Sequence, residues 1–171
     1  MIVLLTAFLA SFLVTLGVIR WHRFHGHLAA DDGFSGVQKF HRHSVARIGG
    51  VGVALGLTAA ALVLWLDGRG IAREFALLLV ASVPAFAGGL AEDVTKRVGV
   101  GARLVLTMGA AALGFWFLGV VLTRVDVPFV DELFRYGPVA LALTVVAVGG
   151  VANAINIIDG FNGLAGMVGV M

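Results

Sequence analysis

Polar side chains recur every third residue where a long apolar stretch comes to an end. They are Asn153, Asn156 and Asp159, and Asn162 follows three residues later. On a helix, this spacing places Asn153, Asn156 and Asp159 along one stripe. Amide and carboxylate oxygens bind hard cations such as Mg²⁺, and polar groups at the end of a membrane span usually mark function. The structural alternative is that the amides form hydrogen bonds between helices.

An acidic pair, Glu92 and Asp93, stands at the end of another apolar stretch, shortly after two adjacent glycines. The spacing to Lys96 and Arg97 allows two i,i+4 ion pairs, which would give the carboxylates a structural role. However, the negative end of a helix dipole disfavours carboxylates. A nearby cation or a basic substrate group would stabilise them, so the pair is also a candidate site.

A basic segment precedes both motifs and contains Lys39, Arg47 and five histidines between positions 22 and 43. Metal binding by the histidines is one interpretation, but their spacings are irregular and no acidic residue follows Asp32 in the segment. A second interpretation is contact with anionic lipid headgroups. A third is phosphate binding, because Lys39 and Arg47 have no acidic neighbour.

The composition predicts that membrane-spanning helices position these residues. Hydrophobic residues make up 60% of the 171-residue chain, charged residues make up 13%, and mean hydropathy is +1.02. A soluble domain carries about 25% charged residues, so too few polar side chains are present to cover a soluble surface. A span needs about 20 apolar residues, and five stretches lack Asp, Glu, Lys and Arg: 1–19, 48–66, 75–91, 104–123 and 137–158.

We therefore predict an all-α, polytopic transmembrane bundle with five spans and one membrane domain over residues 1–171. A sixth apolar stretch opens near Leu164, which predicts the start of a sixth span in the N-terminal part of a longer domain. The chain has no cysteine for disulfides or thiolate metal sites. Trp65 and Tyr136 are candidates for the membrane interface, whereas Trp116 falls inside the fourth stretch and is expected to pack between helices.

Alternation of the spans places all three polar motifs on one side of the membrane. That side has eight Lys and Arg residues and the other has four: Arg20, Arg23, Lys39, Arg42, Arg47, Lys96, Arg97 and Arg103 against Arg69, Arg73, Arg124 and Arg135. Because positive residues favour the cytoplasmic side, the N-terminus is predicted to be outside and the motifs cytoplasmic. The basic residues thus indicate topology, and nucleic acid is not an expected partner.

The motifs resemble those of the polyprenyl-phosphate N-acetylhexosamine-1-phosphate transferases of glycosyltransferase family 4. The matching segments are residues 38–50, 88–103 and 153–166, and Asn-x-x-Asn-x-x-Asp-Gly followed by Gly-Leu-Ala-Gly is quite specific. The resemblance implies transfer of a sugar 1-phosphate from a UDP-N-acetylhexosamine to polyprenyl phosphate, with Mg²⁺, to initiate polysaccharide synthesis of the O-antigen or lipopolysaccharide type. It also implies a multi-pass protein of the bacterial inner membrane with a cytoplasmic active face. A homodimer is left open.

The resemblance also assigns roles to three groups of residues: Glu92, Asp93 and Asp159 in catalysis, Asn156 and Asp93 in metal binding, and Lys39, Arg47, Asn153 and Asn162 in substrate binding. Glu92 and Asn162 replace family aspartates, which favours the O-antigen-like branch over the muramoyl-pentapeptide branch. The side chain of Asn162 still offers an oxygen as a metal ligand, but it cannot act as a base. A Gly-Asp-x-Gly segment and a histidine-rich loop of the family do not occur, so we expect residues 1–171 alone to be inactive.

Two other functions are compatible with a helical membrane protein. A transporter would use buried amides as a permeation site, but its polar residues would lie near the middle of the spans, and these lie at one end. A structural membrane module would catalyse no reaction. Neither alternative explains three motifs on one face, so the transferase is the main hypothesis.

Overall fold

The computed structural model describes residues 1–22, 30–31, 45–46, 49–158 and 167. Five long helices make up most of this structure: α1 (Ile2–His22), α2 (Gly50–Leu66), α3 (Ala72–Thr95), α4 (Val100–Leu118) and, after the single turn α5 (Val130–Leu133), α6 (Gly137–Ile158). Two strands of two residues each, β1 (Ala30–Asp31) and β2 (Val45–Ala46), pair antiparallel between α1 and α2. The all-α prediction is confirmed.

Each of the five predicted spans corresponds to one helix. Helices α1, α3, α4 and α6 are long and apolar enough to cross a membrane, and α2 is apolar but shorter, with 17 residues. A helix of that length lies at the lower limit of about 17–25 residues for a span. The chain is a multi-pass membrane protein. The predicted sixth span lies outside the described residues, except for Met167.

The helix ends differ from the predicted spans at two functionally relevant places. Helix α3 continues to Thr95, past the predicted end at residue 91, so it carries the acidic pair. Helix α4 ends at Leu118, because Gly119 adopts a left-handed conformation with a φ of 66°. The prediction that Trp116 packs between helices is therefore wrong, since Trp116 lies in the last turn of α4 and is 81% exposed.

The long helices form a row in chain order. Helix α1 packs on α2, α2 on α3, α3 on α4, and α4 on α6, and the direction of the chain alternates along the row. The C-termini of α3 and α6 and the N-terminus of α4 meet at one end, which we call the acid-pair end. The C-termini of α2 and α4 lie at the opposite end with Trp65 and Trp116, and we call this the tryptophan end.

Glycines allow neighbouring helices to approach closely, which matters because lipid provides no hydrophobic force between helices. Gly52 and Gly56 lie against α1, and a Cβ atom on Gly56 would be 2.8 Å from the Ala7 carbonyl oxygen. A Cβ atom on Gly88 would be 2.5 Å from Leu106 Cδ1, so α3 meets α4 at this glycine. Larger side chains at these positions would push the helices apart.

Candidate functional site

The acidic pair lies near the end of α3, where the helix reaches the acid-pair end. Lys96 closes α3 in a left-handed conformation with a φ of 55°, and its N–H donates a hydrogen bond to the Glu92 carbonyl oxygen at 2.7 Å. The dipole of α3 places partial negative charge at this end. The Glu92 side chain is only 19% exposed, so its charge requires a cation from elsewhere in the structure.

Arg103, near the start of α4, supplies this cation. Its Nη1 atom forms an ion pair with Glu92 Oε2 and donates a hydrogen bond to Asn156 Oδ1 on α6 at 3.3 Å. Glu92 therefore pairs with Arg103 on another helix, a contact that the i,i+4 spacing does not indicate. One guanidinium joins the acidic pair to the amide stripe, two motifs that are far apart in the sequence.

Arg103 does not fully satisfy the buried oxygen of Glu92. Although Nη1 lies within ion-pair distance, Oε2 accepts no hydrogen bond from any described residue. The contact is therefore an ion pair rather than an aligned hydrogen bond. Oε2 and Asn156 Oδ1 both contact the same nitrogen, so two oxygens of the type that bind Mg²⁺ lie close together.

A cavity of about 140 Å³ opens between α3, α4 and α6 beside this contact. The polar part of its lining comprises Arg103, Thr107, Asn153 and Asn156. Sites for small organic ligands usually have about 300–1,000 Å³. This cavity is therefore suited to an ion with its water molecules, or to one phosphate group of a larger ligand.

Asp93 lies against a different cavity, because consecutive residues on a helix point about 100° apart. This second cavity, also of about 140 Å³, lies between α2 and α3. Its lining comprises Gly50, Val51, Phe86, Gly89, Leu90 and Asp93. Gly89 lines both cavities. Asp93 lines the second cavity, whereas Glu92 contacts Arg103, which lines the first.

The part of the sequence that forms the Arg103 contact matches a known protein family. Residues 75–171 match the sequence profile of glycosyl transferase family 4. The chain belongs to glycosyl transferase family 4. This finding confirms the resemblance drawn from the motifs.

The family 4 protein is also similar to a curated protein of Bacillus subtilis (strain 168), the probable undecaprenyl-phosphate N-acetylglucosaminyl 1-phosphate transferase. The two chains are 28% identical over 134 residues, which cover 78% of this chain. The chain spans 36% of the length of that relative. No solved structure matches the chain.

In this family 4 chain, the structure brings several predicted site residues together at the acid-pair end. Glu92 and Asn156 meet at Arg103, and Asn153 lines the cavity beside them. Four other predicted residues, Lys39, Arg47, Asp159 and Asn162, lie outside the described residues. Within the described part of the chain, no three His, Cys, Asp or Glu side chains form a metal-binding group. An ion held there would therefore need amide oxygens as well.

The sequence did not identify Arg103 as a site residue. It indicated Arg103 only as one of the positive charges that set the topology. Its two partners lie on other helices, so no local spacing signals them. In the sequence it directly precedes the stretch 104–123, and the structure places it inside the helix, because α4 begins at Val100. A charged residue at such a position is costly unless it is paired.

Proposed function

We propose that this family 4 protein transfers a sugar 1-phosphate from a UDP-N-acetylhexosamine to polyprenyl phosphate, releasing UMP. The Arg103 contact gives the strongest support, because a carboxylate of α3 and an amide of α6 converge there. The Bacillus subtilis relative is named for transfer to undecaprenyl phosphate. The reaction would initiate a cell-envelope polysaccharide of the O-antigen or lipopolysaccharide type.

The location of the site suits a lipid acceptor. Both cavities lie at the acid-pair end, where a polyprenyl chain could remain in the bilayer while its phosphate reaches the ends of α3 and α4. The excess of Lys and Arg on this side supports a cytoplasmic face of a bacterial inner membrane. A nucleotide sugar from the cytoplasm would then meet the lipid phosphate at the membrane surface.

We include Mg²⁺ in the proposal because the oxygens at the site suit it. Glu92 Oε2 is buried and accepts no hydrogen bond from a described residue, and Asn156 Oδ1 contacts the same guanidinium nitrogen. Glu92 and Asn156 would hold the ion, with Asp159 as a further ligand, because Asp93 lines the cavity on the other side of α3. When bound, the ion would neutralise negative charge on the phosphates.

The residues of the chain would act mainly by positioning and charge neutralisation. A phosphate monoester has a second pKa near 6 and is largely ionised at neutral pH, so the acceptor scarcely needs to lose a proton. Arg103 would hold the Glu92 and Asn156 side chains together. Substrate contacts would come from Lys39, Arg47, Asn153 and Asn162. The alternative role for Glu92 or Asp93 is that of a base toward the lipid phosphate.

The direct test is UMP release by the full-length protein in detergent, with polyprenyl phosphate, a panel of UDP-N-acetylhexosamines, and Mg²⁺ present or absent. We expect release that requires both the lipid and Mg²⁺. Glu92→Gln and Asn156→Leu should each lower turnover by about 100-fold, as expected when a metal site is disturbed.

Glu132→Gln makes the same chemical change as Glu92→Gln at the tryptophan end and should keep wild-type turnover. No UMP release with any donor, from protein shown to be folded, would contradict the proposal and favour a transporter. Full turnover in both Glu92→Gln and Asn156→Leu would contradict the assignment of the site.

A further inference from the structure

Residues 119–136 connect α4 to α6 at the tryptophan end, and this 119–136 segment exposes much apolar surface. Phe129 is 84% exposed, and further exposed apolar side chains belong to Val120, Leu122, Val125, Val127, Leu133 and Tyr136. A contiguous apolar patch of this kind usually marks a surface that contacts a membrane or another protein. The segment therefore differs from an ordinary solvated loop.

Hydrogen bonds hold the 119–136 segment in a defined shape. The Leu122 N–H donates to Thr144 Oγ1 at 2.8 Å, and Thr144 on α6 is only 6% exposed. The Val125 N–H donates to Asp131 Oδ1, also at 2.8 Å. Phe129 has a φ of 68°, a conformation that non-glycine residues seldom adopt. The hydrogen bonds of Leu122 and Val125 give the segment a defined backbone path.

Several charges within this segment are paired. Arg124 forms ion pairs with Asp126 and Asp131, and the segment as a whole carries two arginines and three acidic residues. Internal pairing lowers the cost of bringing these charges close to a membrane surface. An apolar surface with paired charges suits the boundary between headgroups and acyl chains, where side chains with polar tips can remain in water.

The segment lies at the same end of the row as two exposed tryptophans. Trp65 and Trp116 end α2 and α4 at the same end of the row and are 62% and 81% exposed. Tyr136, at the end of the segment, is 67% exposed. Trp and Tyr side chains concentrate at membrane–water interfaces because their rings are apolar and carry one polar group.

We propose that the 119–136 segment is a membrane-surface element whose partner is the lipid of the leaflet at the tryptophan end. Phe129 and Val127 insert between headgroups and acyl chains, while the paired charges of Arg124 and Asp126 face water. Lipid is favoured over a second protein because Trp65, Trp116 and Tyr136, side chains typical of membrane–water interfaces, are exposed at the same end. The proposal is independent of the transferase reaction.

The test uses single cysteines in the full-length protein. Residues 1–171 contain no cysteine, and any cysteine elsewhere in the protein is first replaced by serine. A nitroxide label is attached at Phe129→Cys in lipid nanodiscs, and collisions with oxygen, which enters lipid, and with a water-soluble nickel chelate are measured by EPR. The matched control is Arg69→Cys in the short α2–α3 connection at the same end. Relative to the control, we expect a gain in oxygen collisions and a loss of nickel collisions at residue 129.

Val127→Cys repeats the measurement on a neighbouring side chain that is 48% exposed, in case the change at Phe129 disturbs folding. Nickel collisions at both positions as frequent as at residue 69 would show a solvated loop and overturn the proposal. Protection from both reagents would show that protein covers the patch, either a second copy or another segment. That outcome would also overturn it.

Discussion

Two arginines pair with carboxylates at opposite ends of the helix row, and their surroundings differ in almost every respect. The Arg103 side chain is 22% exposed and links α4 to Glu92 on α3 and Asn156 on α6. The Arg124 side chain is 74% exposed, and its partners Asp126 and Asp131 belong to the same short segment. One arginine joins three helices, and the other stabilises one connection.

This difference illustrates that the burial of an ion pair determines how much the pair contributes to stability. Exposed pairs contribute about 0–1 kcal/mol because water and salt already screen their charges. Removing one partner of a buried pair costs about 3–5 kcal/mol, because the other charge remains buried without a counter-charge. The same chemical group is therefore expected to be essential at the acid-pair end and nearly dispensable at the tryptophan end.

The largest effect should come from Arg103→Gln, which leaves Glu92 without its cation. We expect the free energy of unfolding to fall by about 3 kcal/mol and turnover to fall by about 100-fold. Unfolding in mixed SDS micelles and UMP release would measure the two effects. Glu92→Gln added to Arg103→Gln should restore part of the stability, because it removes the unpaired charge, while turnover stays low.

Arg97→Gln is the matched control for Arg103→Gln. Arg97 is an exposed cation at the same end of the row, so its loss changes the net charge equally without breaking the contact between helices. Stability within about 0.5 kcal/mol of the wild type is expected for such a surface change. Equal losses in Arg97→Gln and Arg103→Gln would show that net charge matters rather than the contact.

An intermediate effect is expected from Gly56→Ala, which alters the distance between α1 and α2 while keeping every charge. The added methyl would lie 2.8 Å from the Ala7 carbonyl oxygen, and we expect a loss of about 1–3 kcal/mol, as in other overpacked interiors. Gly89→Ala is the control, because a Cβ atom there has no atom within 4 Å. It should leave unfolding unchanged or raise stability by up to about 1 kcal/mol. Destabilisation of Gly89→Ala alone would contradict the described packing.

The smallest effect should come from Arg124→Gln, with a loss below about 1 kcal/mol. That loss should vanish in 1 M salt, where the Debye length is about 3 Å, whereas the loss in Arg103→Gln should persist. Unfolding of both variants at low and high salt would measure this contrast. A large, salt-resistant loss in Arg124→Gln would mean that the two arginines are equivalent after all.

The sequence was sufficient to predict the helices, but not their contacts. Stretches without charged residues indicated all five long helices, and the acidic pair was correctly placed near a helix end. The contact of Glu92 with Arg103 could not be predicted, because it depends on how α3 and α4 align when Gly88 packs on Leu106. The exposed position of Trp116 was missed because α4 ends at Gly119, inside the charge-free stretch.

The order of the helices in the row has a consequence for how the protein is made. Each long helix contacts its predecessor in the chain, so the helices can dock one after another as they leave the ribosome and enter the membrane. Such local contacts favour rapid assembly. Asn156 belongs to α6, and it reaches Arg103 only when α6 docks on α4. During synthesis, the Glu92–Arg103 pair can therefore form before the amide of Asn156 joins it.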